Sequence, residues 1–285
     1  MAEGDQLEIK QVCQKIQLLV RQDVNAARQL SWIGPTRLQT LEFVKRAAVV
    51  RQFEAASTIL ALVDSGSGAT AVTFLRPAYE ELLWLKYLEQ NEDVALELVQ
   101  LMTVKELRES YDAQLNFLGQ KGIRQIGFTS RISKRFEHGF DPSDRLKALG
   151  KELGWRQGSL VPTVAFIARK VGREKEYNFL YHGTSRAVHF SVHELQRRIW
   201  GEYGAVEIGS DSFDRYWSDF AMSWSFRILV ETLILTGFTG NLEKACSEGG
   251  VNFGLLLKQL TPVQILTASE LESWSEPNVD VKGLN

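Results

Sequence analysis

Apolar positions recur every three to four residues over most of this chain, the signature of amphipathic helices. Leu7 to Val24 predicts a first helix. Gly34-Pro35-Thr36 is a helix-start signal, since proline is tolerated in a first turn. From there Leu38, Leu41, Val44, Ala48, Gln52, Ala55, Ile59 and Leu62 predict one long helix, with Gln52 the polar member of its stripe. Ser65-Gly66-Ser67-Gly68 reads as a flexible turn, and a second long helix, Ala69 to Gln90, should run back antiparallel to the first. Pro77 falls inside that helix and predicts a kink near Thr73 to Arg76.

Further helices are expected over Asp93–Met102 and Thr103–Leu118, the latter opening with a Thr-x-x-Glu capping box. Asp141-Pro142 and Pro162 should open two more, ending near Gly154 and Gly172. Glu174 to Trp200 reads as one long helix with Gly183 its weak point, Tyr203 to Gly209 as a short strand or a loop, and Asp211 to Thr236 as a strongly apolar helix. One or two short helices follow Asn241. The expected fold is all-α: a multi-helix bundle built on the long antiparallel pair, with at most one short strand. No repeat or linker divides it. The expected organisation is a helical N-terminal extension over 1–34, one all-α domain over 35–272 and a loose tail over 273–285.

The polar positions of the Glu174–Trp200 segment carry the candidate chemistry. Three of the four histidines fall there. At about 100° per residue, Asn178, His182, Ser185, Arg186, His189 and His193 form one polar stripe flanked by apolar sides. A helix apolar on two sides is packed between neighbours, so its polar groups need partners or line a cleft. Arg76 and Glu80 are spaced i,i+4 in apolar surroundings, as are Arg227 and Glu231. Each pair reads either as an internal ion pair that fixes helix register or, for Arg76 and Glu80, as part of a site with Ser185 and His189.

Composition narrows the classes. The 285 residues carry a net charge of −2, which argues against a globally basic nucleic-acid binder but not against a local patch. The loop run Lys121, Arg124, Arg131, Lys134 and Arg135, interleaved with Phe128 and Phe136, is a candidate RNA contact. Cys13 and Cys246 lie outside any metal-ligand spacing. The polar, acidic start suggests no signal peptide, and the most hydrophobic segment, Ile228–Phe238, is too short to span a bilayer. A cytoplasmic protein without membrane contact is expected. His189 and His193 at i,i+4 can chelate one ion, with Glu80 or Glu81 as a further ligand, but no second histidine-rich helix supports this, so no metal and no cofactor are expected. Phosphate-loop, nucleophile-elbow and dinucleotide motifs are absent. Trp200, Trp217 and Trp224 suit either a core or a homodimer interface.

Leu75-Arg76-Pro77-Ala78-Tyr79-Glu80-Glu81, Val164-Ala165-Phe166-Ile167-Ala168 and Tyr181-x-x-x-Ser185-x-x-x-His189-x-Ser191 together resemble a bacterial helical family, domain-of-unknown-function 5677. The resemblance covers roughly Leu38 to Ile199, with Pro77 a departure from the pattern. It implies all-α architecture and a shared polar site, but no established activity. The leading expectation is a binding or assembly module with a ligand pocket of Arg76, Glu80, Tyr181, Ser185 and His189. The alternative is a metal-independent ribonuclease or toxin-type effector in phage defence. Nucleases of the HEPN class carry Arg-x(4–6)-His, and Arg186-x(6)-His193 and Arg131-x(6)-His138 are similar to it. There His189 or His193 would move the proton, and Arg76 or Arg186, with Glu80 nearby, would stabilise the charged transition state.

Overall fold

In the computed structural model, which describes residues 8–30, 37–131, 134, 139–189, 191–202, 205–209, 211–250, 252–260 and 263–266, helices dominate. They are α1 (Ile9–Arg28), α2 (Arg37–Asp64), α3 (Gly68–Ala71), α4 (Leu75–Gln90), α5 (Glu92–Gln125), α6 (Ser143–Glu152), α7 (Val164–Lys170), α8 (Glu174–Val188), α9 (Val192–Gln196), α10 (Asp211–Thr236), α11 (Gly240–Gly249) and α12 (Phe253–Gln259). The all-α class stands. The one strand allowed for is found as β2 (Ala205–Ile208), and it pairs antiparallel with β1 (Ile199–Glu202), from the expected end of the long helix. The helix start at Gly34-Pro35-Thr36, Arg135, Phe136, His138 and the 273–285 tail lie outside the described residues.

The chain forms two compact units. The first comprises the described residues of Met1–Leu30, Arg46–Leu82 and Lys175–Asn285, and the second those of Ser31–Lys45 and Leu83–Glu174. At the centre of the first unit is α10, whose Phe220, Phe226, Leu229 and Leu233 are fully buried. Helix α1 packs on α10 and α11 with Val12, Cys13, Ile16, Val20 and Val24 buried at helical spacing. A carboxylate crosses the same contact. Asp23 of α1, 2% exposed, accepts from the backbone N–H groups of Asn241 and Leu242, each at 2.8 Å, at the start of α11.

The expected helix Ala69–Gln90 is interrupted. Helix α3 passes through a 3-10 turn, Val72–Phe74, before α4 begins at Leu75. Pro77 therefore sits in the first turn of α4, where a missing N–H leaves no helical bond unmade. Within this unit α2 and α4 meet through polar contacts. Gln52 is buried and donates 2.9 Å bonds to the Ala78 carbonyl and to Glu81, which also pairs with Arg51 at 3.1 Å. Burial pushes the Glu81 carboxyl up, and Arg51 and Gln52 oppose the shift.

In the second unit the two helices expected over residues 93–118 are one, α5. The Thr103 hydroxyl bonds back to the Val99 carbonyl instead of capping a new start. The break comes at Gly119, whose φ of 65° favours glycine. Tyr87 and Trp155 form the unit's polar core contact, with the indole N–H donating to the phenol oxygen at 2.8 Å. Arg145 clamps Glu97 with two bonds of 2.6 and 2.7 Å. Among the described residues, no single helix is long and apolar enough to cross a membrane.

Candidate functional site

The expected helix Glu174–Trp200 ends at Val188 and restarts as α9 at Val192. The reason is local: Ser191 caps the restart, its Oγ accepting from the Glu194 N–H at 3.3 Å. Ser191-x-x-Glu194 is itself a capping-box signature inside the apolar periodicity. The single polar stripe is thereby divided. Asn178 and His182 stay exposed on α8, while His189 and His193 stand on either side of the break, off the shared helical face that chelation at i,i+4 requires. Glu81, considered as a further ligand, faces α2 instead.

Two arginine–histidine pairs form at this break, both within the first unit. Arg76 of α4 approaches His189 Nε2 through Nη1 at 3.1 Å. It also binds Glu80 at 2.9 Å and lies 4.9 Å from the Tyr181 ring centroid. Tyr181 in turn meets Tyr177 at 5.6 Å. Arg186 Nη1 lies 3.2 Å from His193 Nδ1. A guanidinium has only donors, so each histidine accepts. His189 then carries its proton on Nδ1 and His193 on Nε2, an assignment made from the bonding pattern.

The charges follow from these partners. The Glu80 hydrogen bond raises Arg76 further above its ordinary range, against the opposing effect of burial. Burial and then the Glu80 charge push the Tyr177 phenol up. Of the five residues expected to share a pocket, Arg76, Glu80, Tyr181 and His189 meet through these contacts. Ser185 meets His189 through the backbone, its carbonyl accepting from the His189 N–H at 2.9 Å, while its buried Oγ has no hydrogen-bond partner among the described residues.

Beside the break lies a cleft of about 160 Å³ whose lining includes Arg186, His189, Ser191, Glu194, Arg198 and Trp217. Glu194, Arg197 and Arg198 were missed in the sequence, where the capping signature was the available signal. Burial pushes the Glu194 carboxyl up, and Arg197, Arg198 and Arg186 pull it down. Arg197 is nearly enclosed. Its guanidinium lies 5.1 Å from the centroids of Phe213 and Trp217 and 5.5 Å from that of Tyr216, donates to the Ile265 carbonyl at 2.9 Å and is 3.6 Å from Glu194.

The remaining candidates lie elsewhere. In the second unit Lys121, Arg124, Arg131 and Lys134 are exposed, but Phe128 packs on Tyr111 at 5.6 Å and so has one ring face engaged. Arg227 donates to the Leu260 carbonyl at 2.6 Å. Trp217 and Trp224 are 3% and 7% exposed, so they belong to the core.

The model of the Family of unknown function (DUF5677) matches residues 42–204. No curated protein and no solved structure matches the chain. The matched span includes both arginine–histidine pairs and exceeds half of the 285 residues. The chain belongs to the Family of unknown function (DUF5677).

Proposed function

We propose that this chain is a helical binding protein that takes a small anionic ligand in the cleft beside His189. The observation that carries the reading is the Arg76–His189 contact at 3.1 Å, which joins residues 113 apart in sequence at the edge of that cleft. Arg186 hydrogen-bonds an imidazole and so keeps a positive charge that a ligand anion can meet. Arg198 lines the same cleft and is exposed. Guanidinium groups are well suited to tetrahedral oxyanions because their donors are fixed in a plane. In this reading Arg76 is a positioning residue that orients His189. A cytosolic setting is part of the proposal, supported by two cysteines that form no disulfide.

Calorimetric titration with inorganic phosphate tests it. The native chain should bind, and Arg198→Ala should bind roughly tenfold more weakly or worse, the loss of one charge-assisted bond. Equal affinity in the two proteins would contradict the reading.

The Arg186–His193 contact across the helix break favours a second reading, the metal-independent ribonuclease of phage defence. Binding has the better support. A histidine base needs an open lone pair, and arginine occupies the acceptor nitrogen of both His189 and His193. RNA cleavage in EDTA that is lost in His193→Ala, with the fold intact by circular dichroism, would reverse this preference.

A further inference from the structure

We propose that the ligand of this cleft is a phosphate ester with a hydroxyl on the neighbouring carbon, and that Glu194 is the residue that reads this hydroxyl. The inference rests on the anion-binding reading above and specifies its substrate class.

A cleft of about 160 Å³ holds about five water-sized volumes and falls below the roughly 300–1,000 Å³ of pockets for drug-sized ligands. It takes a phosphate and the atoms next to it, while the rest of a larger ligand stays outside.

The lining mixes charges of both signs. Arg186 and Arg198 supply donors for the phosphate oxygens. Glu194 lines the same cleft, and an ionised carboxylate only accepts. A phosphate in the cleft is drawn toward the arginines and away from this carboxylate. Glu194 is held in place by Ser191 at its backbone N–H and by Arg197 near Oε1. Its other oxygen, Oε2, is buried, with no donor among the described residues reaching it. A buried acceptor without a donor is unfavourable, so a matching ligand brings a donor to the Glu194 carboxylate, which lines the cleft, together with an anion for the arginines.

An ammonium group would donate, but three arginines, Arg186, Arg197 and Arg198, act on Glu194 already and repel a further cation. A hydroxyl donates without charge. A hydroxyl beside a phosphate ester occurs in ribonucleotides and in small polyol phosphates, and the cleft chemistry is common to both.

Calorimetry on the full chain distinguishes these sources with two matched pairs. They are adenosine 3′-monophosphate against its 2′-deoxy analogue, and glycerol 3-phosphate against 3-hydroxypropyl phosphate, with inorganic phosphate as reference. In at least one pair the member with the neighbouring hydroxyl should bind at least tenfold tighter, and that pair names the source. In Glu194→Ala the gap should fall below threefold while inorganic phosphate still binds. If circular dichroism shows that this variant has lost its fold, Glu194→Gln keeps the shape and should narrow the gap at least threefold. Equal affinities within both pairs, or a gap that survives in the folded variant, would overturn the hydroxyl inference and leave the anion site standing. Failure of inorganic phosphate to bind the native chain would overturn the anion reading itself, and the inference with it.

Discussion

Asp23→Ala is expected to destabilise the first unit by about 3–4 kcal/mol, from two orphaned donors at about 1–3 kcal/mol each and the lost charge-assisted bonds. Helix α11 depends on Asp23 because its own N-terminus is unprovided for. Thr239, in the capping position, makes no side-chain bond to the helix backbone; its hydroxyl donates to Glu243 at 2.6 Å instead. The donors of Asn241 and Leu242 are met by Asp23, from a helix more than 200 residues earlier, and the Asn241 side-chain amide adds a bond of 3.2 Å. A carboxylate at a helix N-terminus also meets the positive end of the helix dipole. With two compact units in the chain, a single unfolding transition is not assured, so the local readout is amide hydrogen exchange. Protection at Asn241 and Leu242 should collapse in Asp23→Ala, with an intermediate loss in Asp23→Asn, which keeps one acceptor. Unchanged protection in Asp23→Ala would refute this account of the α1–α11 contact.

Gly68→Ala is expected to destabilise by about 2–3 kcal/mol, the upper part of the usual range for overpacking. A Cβ there would stand 2.6 Å from the Asp214 carbonyl oxygen and 2.8 Å from the Ser218 backbone nitrogen. Both are main-chain atoms of α10 and cannot rotate away, so α3 and α10 must separate. Separation also weakens the 2.7 Å bond from the Gly68 N–H to Asp214. Two residues earlier, a Cβ at Gly66 would meet nothing within 4 Å among the described residues, but Gly66 has φ of 69°. Gly66→Ala should therefore lose only about 1 kcal/mol, from backbone strain. Thermal or urea unfolding of the two variants checks the order, and a Gly66→Ala loss equal to or larger than that of Gly68→Ala would contradict it.

These glycines show where sequence reading runs out. In Ser65-Gly66-Ser67-Gly68 nothing local separates a glycine needed for its backbone angle from one needed for close approach to a distant helix. The helices were legible because burial imposes a period. The Arg76–His189 convergence was legible in outline, because charged and polar groups at helical spacing in apolar surroundings demand partners. The boundaries were not. Pro77 reads as a kink inside a helix, and only the 3-10 turn before Leu75 shows it to be a first-turn proline. The restart at Ser191 was hidden because Val188, Val192 and Leu195 continue the apolar spacing of α8, although all three are exposed. Glu194 escaped notice for the same reason, as its role depends on that restart. Asp23 reads as an ordinary polar position of an amphipathic helix until α11 is seen to start against it.

In the proposed site Arg76 donates to His189 and Arg186 to His193, and His189 and Arg186 line the cleft that takes the anion. Long-range proton–nitrogen NMR of the histidine side chains tests this arrangement most directly, with inorganic phosphate added stepwise. His189 should show the Nδ1-protonated tautomer and His193 the Nε2-protonated one. Both should shift as phosphate binds, while His182, exposed on α8 beside Tyr181, stays in place. Reversed tautomers, or a phosphate response at His182 with none at His189 and His193, would contradict it.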